Sequence, residues 1–418
     1  ETYQATGIEE FEETAKEVFT YVLRDMTDQK GGFYSAEDAD SEGVEGKFYV
    51  WTEDEIRLAL KGDEADLIIN VYSIDKTGNF RDEVSGENTG ANILHLDKSL
   101  TEVAFKNKES VDGLKERVEV ARQKLFDIRN KRIHPHKDDK ILTDWNGLMI
   151  AALAKGAQAF DEPKYAEAAK RAADFILTGM RREDGRILHR YRDGHTAILA
   201  NADDYAFLIW GLLELYETVF DVDYLQAALD LNSEMIKYFW DEQDGGFYFT
   251  ADDAEELIVR QKEIYDGAIP SGNSVAVSNL FRLARITANT DFEDKANKIM
   301  LAFSKDVESA PSGYTQMMIA LGFGIGPSYE IVIVGNPEAE DTKEMLASLG
   351  KHFIPYKVVL LKRDDQETAD ITSIAEYTEY HSSFEGKATA YVCLDFACKM
   401  PVTNTEEMLK LLNVSQIK

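Results

Sequence analysis

Gly31-Gly32-Phe33-Tyr34 returns later in the chain as Gly245-Gly246-Phe247-Tyr248, each time after a long amphipathic stretch. Both copies run into carboxylates: Glu37, Asp38 and Asp40 after the first, Asp252 and Asp253 after the second. Glycine tolerates the left-handed backbone that ends a helix, so each Gly-Gly reads as a helix stop. The aromatic pair then opens a short strand. One helix–turn–strand unit used twice predicts an internal structural repeat. Helices joined by hairpin loops in this rhythm point to a mainly α fold, an α/α toroid, of a kind whose loops often hold sugars.

The flanking periodicity agrees. Residues 8–26 place Phe11, Ala15, Val18, Phe19, Val22 and Leu23 on one helical stripe. Helices are expected near 144–160 and 162–180, then at 203–220 and 222–240, with a further pair at 272–288 and 291–306 and a last helix at 313–323. The turns inside the first two pairs, 160–163 and 220–223, are short, which makes the partners antiparallel neighbours. Within 31–50 a hairpin closes at Gly43 and Gly46, followed by a strand-like Lys47–Trp51. Thr52 caps the next helix, with Glu55 completing a capping box. The stretch 78–96 reads as an ordered loop or strand, and a charged helix follows at 110–130.

At Gly326-Pro327 the pattern changes to strand 330–334, helix 338–349, strand 357–361, strand 389–394 and helix 406–412. That order predicts a small α/β appendage with parallel strands. The expected domains are therefore an α/α toroid with hairpin loops over 1–326 and an α/β region over 327–418. Cys393 and Cys398 are expected to be two small buried or half-buried residues, since C-x4-C is not a common redox or zinc spacing.

Composition narrows the partners. The chain has 418 residues, with 77 acidic against 46 basic side chains and a net charge of −31. Such a surface repels phosphate backbones and anionic lipid, so nucleic acid and membrane partners are not expected. There is no apolar run of the roughly 20 residues that span a bilayer. The first residues lack the basic and apolar segments of a signal peptide, which makes a cytoplasmic location the default. Nothing in the pattern specifies an oligomer.

Four clusters carry candidate chemistry. In the first, Glu37 and Asp38 stand among Tyr34 and Trp51, an acid flanked by the aromatic platforms on which sugar rings stack. The same residues suit a solvated acidic loop. In the second, Asp144, Trp145 and Asn146 open an inner helix and form a sugar-binding trio, although Asp144 or Thr143 also suits a helix cap. In the third, Asn201-Ala202-Asp203-Asp204-Tyr205, one aspartate suits a cap. Asp204 is then surplus to capping and sits beside Tyr205 on a core-facing stripe, where a carboxylate is costly without a partner. Asp204 is the first acid/base candidate, with His189 in the preceding loop as a second proton-transfer group. Asp204→Asn is expected to abolish turnover with little change in melting temperature. In the fourth, Asp266 precedes a glycine-rich turn containing Asn273, which also suits a capped turn. His134 and His136 lack a recognisable third ligand, so no metal and no cofactor are expected.

Taken together, GGFYSAEDADSEGVEGKFYVW (31–51), DDKILTDWNGLMIAALAK (138–155), NADDYAFLIWGLLELY (201–216) and YDGAIPSGNS (265–274) resemble one family. It is the thioredoxin-domain-containing family that includes the spermatogenesis-associated proteins, and the likeness extends to TAYVC (389–393). The resemblance implies a six-hairpin glycosidase-like toroid, similar to that of N-acylglucosamine 2-epimerases. It also implies a thioredoxin-like domain with a C-x-x-C motif ahead of the toroid. This chain has no C-x-x-C, so it resembles the C-terminal part of a longer protein, with the first toroid hairpins expected to be missing. No reaction carries over from the family. The expected function is a carbohydrate-active site in the toroid mouth, an epimerase, isomerase or glycosidase acting on a small sugar. The competing expectation is a non-catalytic binding or scaffold domain.

Overall fold

The computed structural model describes residues 1–81, 86–255, 257–365 and 370–414. Its packing divides the chain into two compact units, one of Ala36–Asp138 and one of Glu1–Ser35 with Asp139–Lys418. Residues 82–85, inside the expected loop 78–96, lie outside the described residues.

The larger unit starts with α1 (Thr2–Thr6) and α2 (Glu9–Asp25). Of the predicted α2 stripe, Phe19 and Val22 are buried, while Phe11 and Val18 stay exposed. β1 (Tyr34–Glu37) then leads into the smaller unit, which holds β2 (Asp40–Ser41), β3 (Val44–Glu45) and β4 (Trp51–Thr52). Next come α3 (Glu53–Ala59), α4 (Asp63–Val71), β5 (Ala91–Asn92), α5 (Leu100–Asn107) and α6 (Val111–Arg129). The capping box of Thr52 and Glu55 forms as expected. The strand predicted over 47–51 does not form: only Trp51 and Thr52 pair, with Asn92 and Ala91. Arg132 explains this, because it donates to the carbonyls of Phe48 and Val50 and takes those groups away from any ladder. Trp51 is buried with Ile56, Leu60, Ile68 and Leu114 in this unit's own core.

β6 (Lys137–Leu142) returns the chain to the larger unit. Helical hairpins follow: α7 (Thr143–Phe160) with α8 (Pro163–Gly179), the strands β7 (Leu188–Arg192) and β8 (His195–Leu199), α9 (Ala202–Val219) with α10 (Val222–Phe239), and α11 (Gly272–Thr287) with α12 (Thr290–Ala302). Each inner helix ends on a left-handed residue, namely Asp161, Phe220 and Ala288. A cap follows at once in two cases, where Asp221 and Asn289 accept the N–H groups of Asp223 and Asp291. The reversal is thus completed within a few residues, and the outer helix folds back along the inner one.

The inner helices α7, α9 and α11 lie side by side, and α14 (Thr315–Ile325) continues the series after the short α13 (Ser304–Ser309). The arrangement is an arc of an α/α toroid. α9 is its middle member, with Tyr205, Phe207, Leu208, Ile209, Leu212 and Tyr216 fully buried. Each such side chain contributes about 1.5–3 kcal/mol by leaving water. α7 and α9 cross closely because Gly147 lacks a side chain: a Cβ there would stand 2.4 Å from the Phe207 backbone.

The last segment holds β9 (Tyr329–Val334), α15 (Glu340–Lys351), β10 (Lys357–Lys362), β11 (Thr389–Leu394), β12 (Ala397–Cys398) and α16 (Thr405–Leu411), with sheet order β10-β9-β11-β12. β10 runs parallel to β9, as expected, but β11 is antiparallel to it, so the sheet is mixed. Alternate residues of β9 serve two cores. Val332 and Val334 join the helical core, whereas Ile331 and Ile333 face the core shared with α15 and α16. Cys393 and Cys398 are not the separate small residues anticipated; they are paired as a disulfide across the β11–β12 hairpin.

Candidate functional site

The two Gly-Gly-Phe-Tyr copies share one set of contacts, although only the first opens a strand, and the second makes no more than an isolated bridge between Phe247 and Trp240. Asn146 accepts the N–H of Phe33 at 2.7 Å and donates to its carbonyl, and Asn273 does the same for Phe247. Tyr34 donates to Asp28, and Tyr248 donates to Asp241. The repeat is therefore a clamp that fixes each aromatic loop to the head of the next inner helix. Asn146 and Asn273 are buried and their amides are engaged with backbone. Tyr34 is half-buried, and burial with its bond to Asp28 pushes its hydroxyl up to about 12.

The heads of α7, α9 and α11 bring several titratable groups together. Asp204, 1% exposed, accepts the N–H groups of Asn201 at 2.7 Å and Asp144 at 3.0 Å. His189 Nδ1 lies 2.9 and 3.0 Å from its two oxygens. A carboxylate can only accept, so Nδ1 carries the proton and the other ring nitrogen holds the lone pair when the ring is neutral. The hydrogen bond to Asp204 raises the His189 pKa against the opposing effect of burial. Asp204 is thus a cap, contrary to the expectation that it is surplus to capping. It closes both its own helix and α7, where neither Thr143 nor Asp144 caps the helix. Thr143 donates instead to Leu188, and Asp144 accepts from Trp145.

Asp144, His189 and Asp204 each place one ligand atom within 4.8 Å of the others. Asp144 is half-buried, and burial together with the Asp204 charge pushes its carboxyl up to about 6. Ser271 caps α11 by accepting the N–H of Ser274, and Asp203 adds to it by accepting the N–H of Gly272 at 2.9 Å. Burial first, then the charges of Asp204, Glu263 and Asp144, push Asp203 up to about 7. A metal could be bridged by one imidazole and two carboxylates, but Asp204 already accepts three N–H donors.

The other candidates have other partners. Asp266 accepts from Ser271, Gln316 and Met317, which makes it the cap of α14. Tyr205 is fully buried, with its hydroxyl donating to Glu234 and receiving Arg186. Trp145, by contrast, is 43% exposed in the first turn of α7, next to Asp144. Asp38, Glu37 and Trp51 belong to the smaller unit. There Asp38 accepts from Asp40, Glu37 accepts from Tyr49, and the Arg132 guanidinium covers Trp51 at 4.1 Å.

The sequence that builds this group is 32% identical over 440 residues to spermatogenesis-associated protein 20 of Rattus norvegicus, with 99% of this chain covered. The chain is a homologue of spermatogenesis-associated protein 20. It spans about half the length of the curated relatives it matches, 56% in the rat and human proteins. No protein-family model matches it. Among solved structures, the GH76 alpha-mannanase of Bacteroides thetaiotaomicron aligns at TM-score 0.35 and 19% identity, over 46% of this chain and 56% of that one. A cellobiose 2-epimerase from Spirochaeta thermophila aligns at 0.33 and 16%, over 39% and 43%. Among the described residues of this spermatogenesis-associated protein 20 homologue, no helix is long and apolar enough to cross a membrane.

Sequence reasoning assigned Asp203 to capping alone and so missed its raised pKa. The available signal was the Asp203-Asp204 pair itself, since two adjacent carboxyls at a crowded helix head disfavour each other's ionisation.

Proposed function

We propose that the heads of α7, α9 and α11 form an acid/base site that moves protons on a small carbohydrate, in the manner of an epimerase, isomerase or glycosidase. The reading rests on the grouping of His189 and Asp144 around the buried Asp204 carboxylate, with Asp203 on the same helix turn. Asp204 fixes the His189 tautomer and orientation, so neutral His189 can accept a proton from the carbon beside a sugar carbonyl. Asp144 and Asp203, raised toward neutral pH, can carry a proton and donate it to a developing hydroxyl or a leaving group. Trp145 offers an exposed ring on which a sugar face can stack.

The test is proton NMR of a panel of mono- and disaccharides in D2O with the intact chain. Deuterium entering beside the anomeric carbon supports an epimerase or isomerase, and a new anomeric signal supports a hydrolase. Either should vanish in His189→Gln and in Asp144→Asn. A second reading, a non-catalytic binding or scaffold domain, draws support from Asp203, Asp204 and Asp266 all capping neighbouring helices. No exchange in any sugar from folded protein would favour that second reading.

A further inference from the structure

About three turns further along the same inner helices, a cavity of about 290 Å³ is lined by Lys155 of α7, Trp210, Glu214 and Glu217 of α9, Arg282 of α11, and Lys357 at the start of β10. Its charges are mostly paired. Arg282 bridges Glu214 at 2.8 Å and Glu217 at 2.9 Å. Lys155 and the Trp210 indole N–H also reach Glu214, at 3.2 and 3.0 Å. Burial opposes ionisation of Glu214, but Arg282 and Lys155 prevail and hold it down at about 2.

Lys357 is the exception. Among the described residues its ammonium has no hydrogen-bond or ion-pair partner, although it lines the same cavity. Burial lowers its pKa, Glu217 and Glu214 pull the other way, and the cations Lys155 and Arg282 add to the lowering. Desolvation beside other cations is the arrangement that makes a lysine amine a nucleophile.

We propose that Lys357 is a carbonyl-condensing lysine, whose amine adds to the C=O of a small aldehyde or ketone admitted to this cavity. The Nζ lone pair forms the N–C bond and gives a carbinolamine. The carbonyl oxygen then leaves as water with both amine hydrogens, and a C=N bond remains. No oxidant or reductant is needed. The site is independent of the acid/base group at the helix heads, so either reading can fail without the other.

The intact chain is treated at neutral pH with glycolaldehyde, and in a second arm with dihydroxyacetone, in the presence of cyanoborohydride. Peptide mass mapping then gives the rate of adduct formation at each lysine. Lys357 should be modified severalfold faster than the exposed Lys343 and Lys351, because burial lowers its pKa and leaves more of its amine neutral. Lys357→Arg keeps the cation but cannot form the imine, so the fast adduct should vanish with the melting temperature held. Modification of Lys357 no faster than the exposed lysines overturns the proposal, and this comparison within the native protein stands even if the variant fails to fold.

Discussion

The Asp204 carboxylate accepts the backbone N–H of Asp144 across 3.0 Å, so a side chain of one inner helix closes the head of the next. The same oxygens hold the His189 ring and the Asn201 N–H. One buried carboxylate thus serves architecture and any proton chemistry together.

Asp204→Asn should therefore cost stability as well as any turnover. The amide keeps the shape but has one accepting oxygen in place of two, and it cannot pair with protonated His189. A loss of about 2–4 kcal/mol is expected from broken bonds to a buried charge. This replaces the sequence-based expectation of an unchanged melting temperature. Urea unfolding checks it, and a change below about 0.5 kcal/mol would show that the three contacts do not anchor the ring.

Stability should fall as pH rises from about 4 to 7, because Asp203 is raised to about 7 from 3.8 and keeps its proton in the folded chain while the unfolded chain has lost it. Its contribution is fully present below the unfolded value and is lost as pH climbs through the folded one. Asp144, raised to about 6, acts in the same direction. His189, also raised, adds a component that is present below 6.5 and lost above it. Net charge imposes its own slope, so the measurement is a difference: the urea midpoint of the wild type minus that of Asp203→Asn, from pH 4 to 8. That difference should decline as pH rises; a flat difference would remove Asp203 from the raised set.

Gly272→Ala should displace the Asp203 carboxyl. A Cβ at that position would stand 2.2 Å from Asp203 Oδ1, inside any tolerable contact. The cost should be about 1–3 kcal/mol, as for other overpacked sites. The pH dependence assigned to Asp203 should shrink with it. Retention of both would mean that the α11 cap yields freely.

Asn146→Ala and Asn273→Ala should resemble each other. Each removes the acceptor and donor that clamp Phe33 or Phe247, so each should cost about 2–3 kcal/mol. If the two asparagines bound substrate instead, the variants would raise KM while the melting temperature held.

Much of the scaffold was legible because it obeys local rules. The inner and outer helices lie close to where the 3.6-residue periodicity placed them, and Thr52 with Glu55 forms the expected box. The strand at 47–51 was not legible, since Arg132, far away in sequence, takes its carbonyls. The direction of β11 and the Cys393–Cys398 pairing depend on how distant strands meet. In the candidate group, Asp204 stood out as a carboxylate on a core-facing stripe. Its actual partners, the Asp144 N–H and the His189 ring, lie 60 and 15 residues away and leave no periodic trace. Asn146, Asn273 and Tyr205 read as polar lining in sequence, yet their polar atoms face backbone or charged side chains.

The capping runs onward from helix to helix: Asp204 on α7, Asp203 on α11, Asp266 on α14. Opening the head of α9 would strip the amides of Asp144 and Gly272 of their acceptors together, so the heads of α7 and α11 are both tied to it. Opening of the α9 head should therefore expose the Asp144 and Gly272 amide protons to exchange together, whereas that of Gln316 follows the turn that carries Asp266.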